Sequence, residues 1–217
     1  MASRRVMIWD LPTRLCHWSL VVFFVVSWWS GEQGGTAFNV HQWSGYGILS
    51  LLLFRLAWGV VGGEYARFAQ FVQGPRHVLR AAADLLTRAP LTQAGHNALG
   101  GWMVVALLLG LLVQAATGLF ANDDIMNEGP LMAWISTDLS DTLSGAHRIN
   151  FVVLLMLVSV HVVAIVYHRL RKGEHLTLAM ITGYRILPTS AVRTTSGWLA
   201  AVLLALAAGM VALLINL

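Results

Sequence analysis

The stretch "AHRINFVVLLMLVSVHVVAIVYH", residues 146–168, decides how the rest of the chain is read. Leu, Val, Ile, Phe, Met and Ala supply most of it, and about twenty such residues let an α-helix cross the hydrocarbon core of a bilayer. Yet the stretch carries three histidines. An ionisable side chain inside an apolar helix is costly and marks a functional position. His147 and His161 are 14 residues apart. Helix geometry therefore separates them by about 21 Å along the axis and leaves them within about 40° of one face.

Composition agrees with a membrane protein. Of 217 residues, 57% are hydrophobic and 11% charged, against about 25% charged in soluble domains; mean hydropathy is +0.68. The expected fold is all-α, an integral membrane helical bundle. Its apolar spans are read at about 15–34, 42–62, 98–120, 147–168 and 197–217. Residues 1–185 form a four-helix core and residues 186–217 add a fifth, C-terminal transmembrane helix. The first span is read as retained rather than as a signal peptide, because bulky Trp28 and Trp29 stand where small residues would mark cleavage. Cys16 is the single cysteine, so no internal disulfide forms, and there is no C-x-x-C-H for c-type haem. Iron–sulfur ligation by four thiolates is excluded on the same count. The net charge of +4 does not indicate nucleic acid, since the basic residues gather in alternate loops. No internal repeat is visible in the sequence.

Those loops set the orientation. Arg4, Arg5 and Arg14 precede or open the first span. The first loop, "GEQGGTAFNVHQ", has no Lys or Arg; the second has Arg67, Arg76, Arg80 and Arg88. The third, read as residues 121–145, has Asp123, Asp124, Glu128, Asp138 and Asp141 and no Lys or Arg. The fourth has Arg169, Arg171, Lys172, Arg185 and Arg193. The positive-inside rule then places the N-terminus in the cytoplasm and the C-terminus on the outer face of the membrane. "PRHVLRAAADLLTRA", residues 75–89, reads as an amphipathic helix along the inner surface.

With the spans oriented, the histidines sort by depth. His41 and His147 lie near the outer boundary, His17 and His161 near the inner one. Two cofactors stacked across the bilayer, each held by histidines on facing helices, account for the four: His41 with His147, and His17 with His161, as bis-imidazole ligands of two haem b groups. Arg55 follows His41 by 14 residues and reaches the inner depth. It either pairs with a haem propionate or snorkels to the surface; Arg14 and Arg148 suit propionates at the two boundaries. His96 matches the inner depth without a partner. His77, His168 and His175 read as interfacial surface. None of the Asp or Glu residues lies mid-span, which disfavours a metal or proton transporter.

"DLPTRLCHW", "HQWSGYGILSLLLFRLAWG", "GHNALGGWMVVALLLGLLVQAATGLF" and "AHRINFVVLLMLVSVHV" resemble the bacterial cytochrome b-561 family, which includes the b-type cytochrome subunits of nickel–iron hydrogenase and formate dehydrogenase. The likeness spans about residues 6–185. It implies iron ligation by His17, His41, His147 and His161 and electron exchange with the quinone pool. It also implies one of two other settings: a haem-bearing anchor subunit of a larger oxidoreductase complex, or a superoxide:quinone oxidoreductase. On this reading a quinone site lies near His96 and Arg14, and the acidic outer loop suits a basic periplasmic partner such as a cytochrome c.

Overall fold

The computed structural model describes residues 4–85, 94–123, 125, 127–187 and 195–217; Arg88, Asp124, Arg193 and the end of the 75–89 segment lie outside them. Five described helices are long and apolar enough to cross a membrane. They are α1 (Leu11–Gln33), α2 (Phe38–Val61), α5 (Ala98–Gly118), α6 (Thr137–Lys172) and α8 (Gly197–Leu214). Between them lie β1 (Arg4–Met7), the short α3 (Phe68–Phe71), the amphipathic α4 (Pro75–Leu85), α7 (Leu176–Thr182) and β2 (Tyr184–Leu187).

Local chemistry sets the ends. Asp10 caps α1, accepting from Thr13 N at 2.9 Å, with Pro12 in the first turn. Asn97 caps α5 through Gly100 N at 2.7 Å. Ser136 caps α6, and Asp138 sits in its first turn where the helix dipole favours an anion. Gly173, at φ 68°, closes α6 in the left-handed conformation, with Arg169, Arg171 and Lys172 in the last turn.

At 36 residues, α6 is about 54 Å long against a hydrocarbon core of about 30 Å. This corrects the reading of residues 121–145 as loop: the helix begins at Thr137. His147 therefore lies ten residues inside the helix and not at its start. The polar first turns conceal a packed face. Ser140 donates to Phe120 O at 2.7 Å, and Ser144 accepts from Asn122 N at 2.9 Å, so two hydroxyls one turn apart anchor the outer loop.

Packing divides the bundle into two hairpins. α1 packs on α2 and α5 on α6, while α2 also touches α5. The fifth span lies against α2, with a lighter contact to α1; its buried Ala200, Ala207 and Val211 share one face. The α5–α6 approach is closest at Gly110, where a Cβ would fall 2.8 Å from Leu154 Cδ2. Small residues at such crossings let backbones pack in the absence of a hydrophobic drive.

A small cap with two short strands closes the end of the bundle at which α1 begins. β1 pairs antiparallel with β2, Val6 opposite Arg185. Val6, Ile8 and Trp9 pack on Ala179 of α7. Ile8 N and Trp9 N both donate to Gly183 O, at 2.8 and 3.1 Å. His168 is corrected here: it is buried, with Nδ1 3.5 Å from buried Glu174, which also faces Arg185 at 3.9 Å. His77 and His175 are exposed, as read. Lys172 Nζ and Tyr167 Oη donate to Asp84 O and Leu85 O, fastening α4 to α6.

Asp10 joins α1 to α2, because fully buried Trp58 donates Nε1 to its carboxylate at 3.1 Å. Asp10→Ala removes a cap and a cross-helix acceptor, and is expected to cost about 1–2 kcal/mol. Trp58→Phe is expected to cost a similar amount, and the double variant less than the sum, since both changes break one bond. Unfolding followed in detergent micelles checks this; additive losses would show that the bond contributes nothing.

Candidate functional site

The outer site stands on two helix hairpins. His41 lies one turn into α2 and His147 on α6. Their rings face each other with centroids 6.2 Å apart and planes at 71°. Each Nδ1 is held by a backbone carbonyl of the preceding helix in its hairpin. His41 Nδ1 lies 2.8 Å from Ser27 O on α1, and His147 Nδ1 3.0 Å from Gln114 O on α5. A carbonyl can only accept, so Nδ1 carries a proton in both rings, and in the neutral tautomer Nε2 is the nitrogen with the free lone pair. Such an anchor fixes tautomer and ring orientation in metal-ligating histidines.

Two metal–imidazole bonds of about 2 Å, plus about 1.1 Å from each nitrogen to its ring centre, give about 6 Å between centroids. The observed spacing fits one metal ion between the rings. Among the described residues no three His, Cys, Asp or Glu side chains converge to hold a bare ion. His41 and His147 would hold an iron by two imidazoles, and a tetrapyrrole would supply the remaining ligands. Each imidazole packs closely on a glycine: a Cβ on Gly31 would lie 2.9 Å from the His41 ring, and one on Gly118 2.9 Å from the His147 ring.

At the inner depth, one residue comes from each of four segments. His17 on α1 lies within electrostatic range of His161 on α6. His96, in the turn before α5, is within range of both and of Arg55 on α2. The side-chain nitrogens His17 Nδ1, His96 Nδ1 and Arg55 Nη1 are buried without a hydrogen-bond partner. Arg55 is 7% exposed and its guanidinium lies 4.9 Å above the Phe68 ring, so it does not snorkel. A buried cation with an unsatisfied N–H suits a carboxylate. The His96 ring packs against Trp9 and Phe71, at 4.6 and 5.1 Å. Burial, then the Arg55 charge, pushes the His96 imidazole down to about 3, so the ring is neutral at physiological pH.

The remaining candidates are less committed. Arg14 donates Nη1 to Ile181 O at 2.5 Å, while its Nε is buried without a partner against the α7–β2 turn. Arg148 is exposed on α6. Asn97 spends its side-chain oxygen as the α5 cap. Sequence reasoning passed over Asp10, Trp58, Ser27, Gln114 and Thr117. Cap-forming Asp10 followed by Pro12 was a legible signal; carbonyl acceptors carry none.

Residues 8–183 match the model of a family described as prokaryotic cytochrome b561. The chain belongs to that family. Two curated relatives are similar to it, each named a probable Ni/Fe-hydrogenase B-type cytochrome subunit. The Bradyrhizobium diazoefficiens protein is 24% identical over 215 residues, covering 83% of this chain and 85% of its own length. That of Rhizobium leguminosarum bv. viciae is 25% identical over 216 residues, covering 83% and 89%. No solved structure matches the chain. As a cytochrome b561 the protein is a multi-pass membrane cytochrome whose family uses haem b in electron transfer.

Gly118 tests the outer cradle. In Gly118→Val the added carbons meet the His147 ring, and the expected result is a loss of bound haem. Haem-to-protein ratio measures it; full haem content in the variant would mean the site lies elsewhere.

Proposed function

We propose that this cytochrome b561 holds two haem b groups, one between His41 and His147 and one between His17 and His161, and carries electrons between the outer face of a bacterial inner membrane and the quinone pool. The observation that carries the reading is the opposed His41–His147 pair, 6.2 Å between ring centres with both Nδ1 atoms anchored. Haem supplies the one-electron chemistry when bound; the protein sets axial ligation, charge and dielectric around it. On this reading the two sites, one at His147 and one at His161, are about 21 Å apart along the shared helix axis, one toward each face. Arg55, and at the boundaries Arg14 and Arg148, neutralise propionates. The N-terminus is cytoplasmic and the C-terminus periplasmic, by the distribution of Arg and Lys.

Quinone is exchanged at the inner site, beside His96 and Arg14. A neutral His96 offers a ring N–H or a lone pair to a quinone oxygen, and it is not a store of protons. On the outer face, exposed Asp123, Asp138 and Asp141 suit a basic soluble partner such as a cytochrome c. The relatives' names favour a second setting, in which the chain is the haem-bearing anchor of a larger oxidoreductase. The outer turns of α6, which project past the bilayer core, then form part of the docking face.

The purified protein is expected to give two haem b per chain by pyridine haemochrome. His41→Ala or His147→Ala removes one, His17→Ala or His161→Ala the other, and each double variant within a pair still retains about one. One haem per chain in the wild type, or a shared loss in His17 and His147 variants with retention in their presumed partners, overturns the assignment.

His96→Ala, with haem content unchanged, is expected to slow haem reduction by a short-chain quinol several-fold while leaving dithionite reduction intact. An unchanged quinol rate removes His96 from the quinone site.

A further inference from the structure

The two histidines of the outer site are held by the same six-residue arrangement, repeated on α1 and α5. In "VSWWSG", residues 26–31, Ser30 Oγ donates to Val26 O at 2.6 Å and to Ser27 O at 3.3 Å. In "VQAATG", residues 113–118, Thr117 Oγ1 donates to Val113 O at 2.7 Å and to Gln114 O at 3.1 Å. The shared carbonyls, of Ser27 and Gln114, are the ones that receive the imidazole Nδ1 protons at 2.8 and 3.0 Å. The glycine that ends each arrangement, Gly31 or Gly118, meets the same imidazole with only 2.9 Å to spare for a Cβ. Carbonyl, hydroxyl and glycine thus recur at i, i+3 and i+4, the positions that a helix brings to one side.

We infer that these are two copies of one imidazole-holding cassette, and that the Ser30 and Thr117 hydroxyls are positioning residues: Ser30 tunes His41 through the carbonyl they share, and Thr117 tunes His147 both through that carbonyl and by its Oγ1, 3.2 Å from His147 Nδ1. The inference rests on the reading of those histidines as haem ligands. A carbonyl oxygen has two lone pairs, and the hydroxyl draws on the same oxygen that polarises Nδ1–H. Removing the hydroxyl leaves a stronger acceptor for the imidazole proton. The ring becomes a more basic ligand, which favours ferric over ferrous iron and lowers the potential of that site alone. The glycine sets the tilt of each ring. The rings held by the two cassettes cross at 71°. Crossed axial planes leave the two iron dπ orbitals nearly degenerate, which gives a strongly anisotropic low-spin signal in place of the rhombic signal of parallel planes.

The α5 copy has an added brace. Asn150, one turn beyond His147 on α6, donates Nδ2 to Gln114 Oε1 at 2.7 Å and to Gly110 O at 2.9 Å. The brace fixes the residue whose carbonyl holds His147. The copies also differ in the hydroxyl nearest the imidazole, Ser27 Oγ at 3.3 Å from His41 Nδ1 and Thr117 Oγ1 at 3.2 Å from His147 Nδ1.

The test uses the full-length protein in detergent with Thr117→Val, which keeps the side-chain shape, Ser30→Ala, and Thr117→Ser as the control that restores a hydroxyl. Haem content, redox titration and electron paramagnetic resonance are read on each. The wild type is expected to show a strongly anisotropic low-spin signal from the outer site. Thr117→Val and Ser30→Ala each shift the outer midpoint potential downward with both haems retained and the inner potential unmoved; Thr117→Ser keeps the wild-type value. An outer potential that stays put or rises in either variant overturns the cassette, as does an equal shift at both sites. If one variant fails to accumulate, the other decides by itself. A wild type without two low-spin haems would instead overturn the ligand assignment on which the inference rests.

Discussion

A neutral imidazole in hydrocarbon has one N–H that must find an acceptor, and the outer half of this bundle is arranged around that requirement. Water is not at hand, and an unsatisfied polar group there costs several kcal/mol. The acceptors are carbonyls of neighbouring helices, Ser27 O for His41 and Gln114 O for His147. For a side chain to reach such a carbonyl, the two helices must run close, and the residue one turn beyond the carbonyl must lack a side chain. Gly31 and Gly118 meet that condition. The pairing of α1 with α2 and of α5 with α6 follows from the same contacts, so ligand orientation and helix packing are one arrangement and not two.

The sequence displayed the part of this that depends on periodicity and charge. Five apolar stretches, the Arg and Lys bias of alternate loops and the spacing of His147 and His161 made the helical membrane bundle legible, and with it the opposed placement of His41 and His147. The long α6 was missed because residues 137–145 are polar, although Ser136 as cap and Asp138 in the first turn were start signals. The β1–β2 cap was missed because two four-residue strands pair across most of the chain, and nothing local announces their register. His168 was taken for surface because its neighbours in sequence are basic; its burial comes from Glu174, brought round by the left-handed turn at Gly173. Backbone acceptors were invisible for a simpler reason: every residue has a carbonyl, and only packing says which one a side chain meets.

The repeat of the cassette also explains why no repeat was visible. "VSWWSG" and "VQAATG" share two identical positions and one hydroxyl pair, too little for sequence self-similarity to register. The intervening Trp28 and Trp29 are exposed, while Ala115 and Ala116 lie on the equivalent turn of α5. What recurs is the geometry of one carbonyl, one hydroxyl and one absent side chain, which leaves the remaining positions free to answer to lipid or to a neighbouring helix.

Carried one step further, the same comparison of hairpins separates the two depths. His41 on α2 and His147 on α6 are equivalents, and the residue 14 positions beyond each faces the inner depth: Arg55 in one hairpin, His161 in the other. The outer site therefore draws equivalent histidines from both hairpins. At the inner depth one hairpin contributes an imidazole and the other a guanidinium, and the second imidazole comes from His17 on α1. A guanidinium cannot lose its proton in a protein, and at 7% exposure with Nη1 unpartnered it is costly unless an anion is close. Asp10 lies within electrostatic range but is already engaged by Thr13 N and Trp58 Nε1. A cofactor bearing carboxylates resolves that cost, whereas a neutral one leaves it standing. The inner half of the bundle is thus suited to an anionic cofactor edge, and the outer half, built on carbonyls, hydroxyls and glycines, to holding the planes of its two imidazoles.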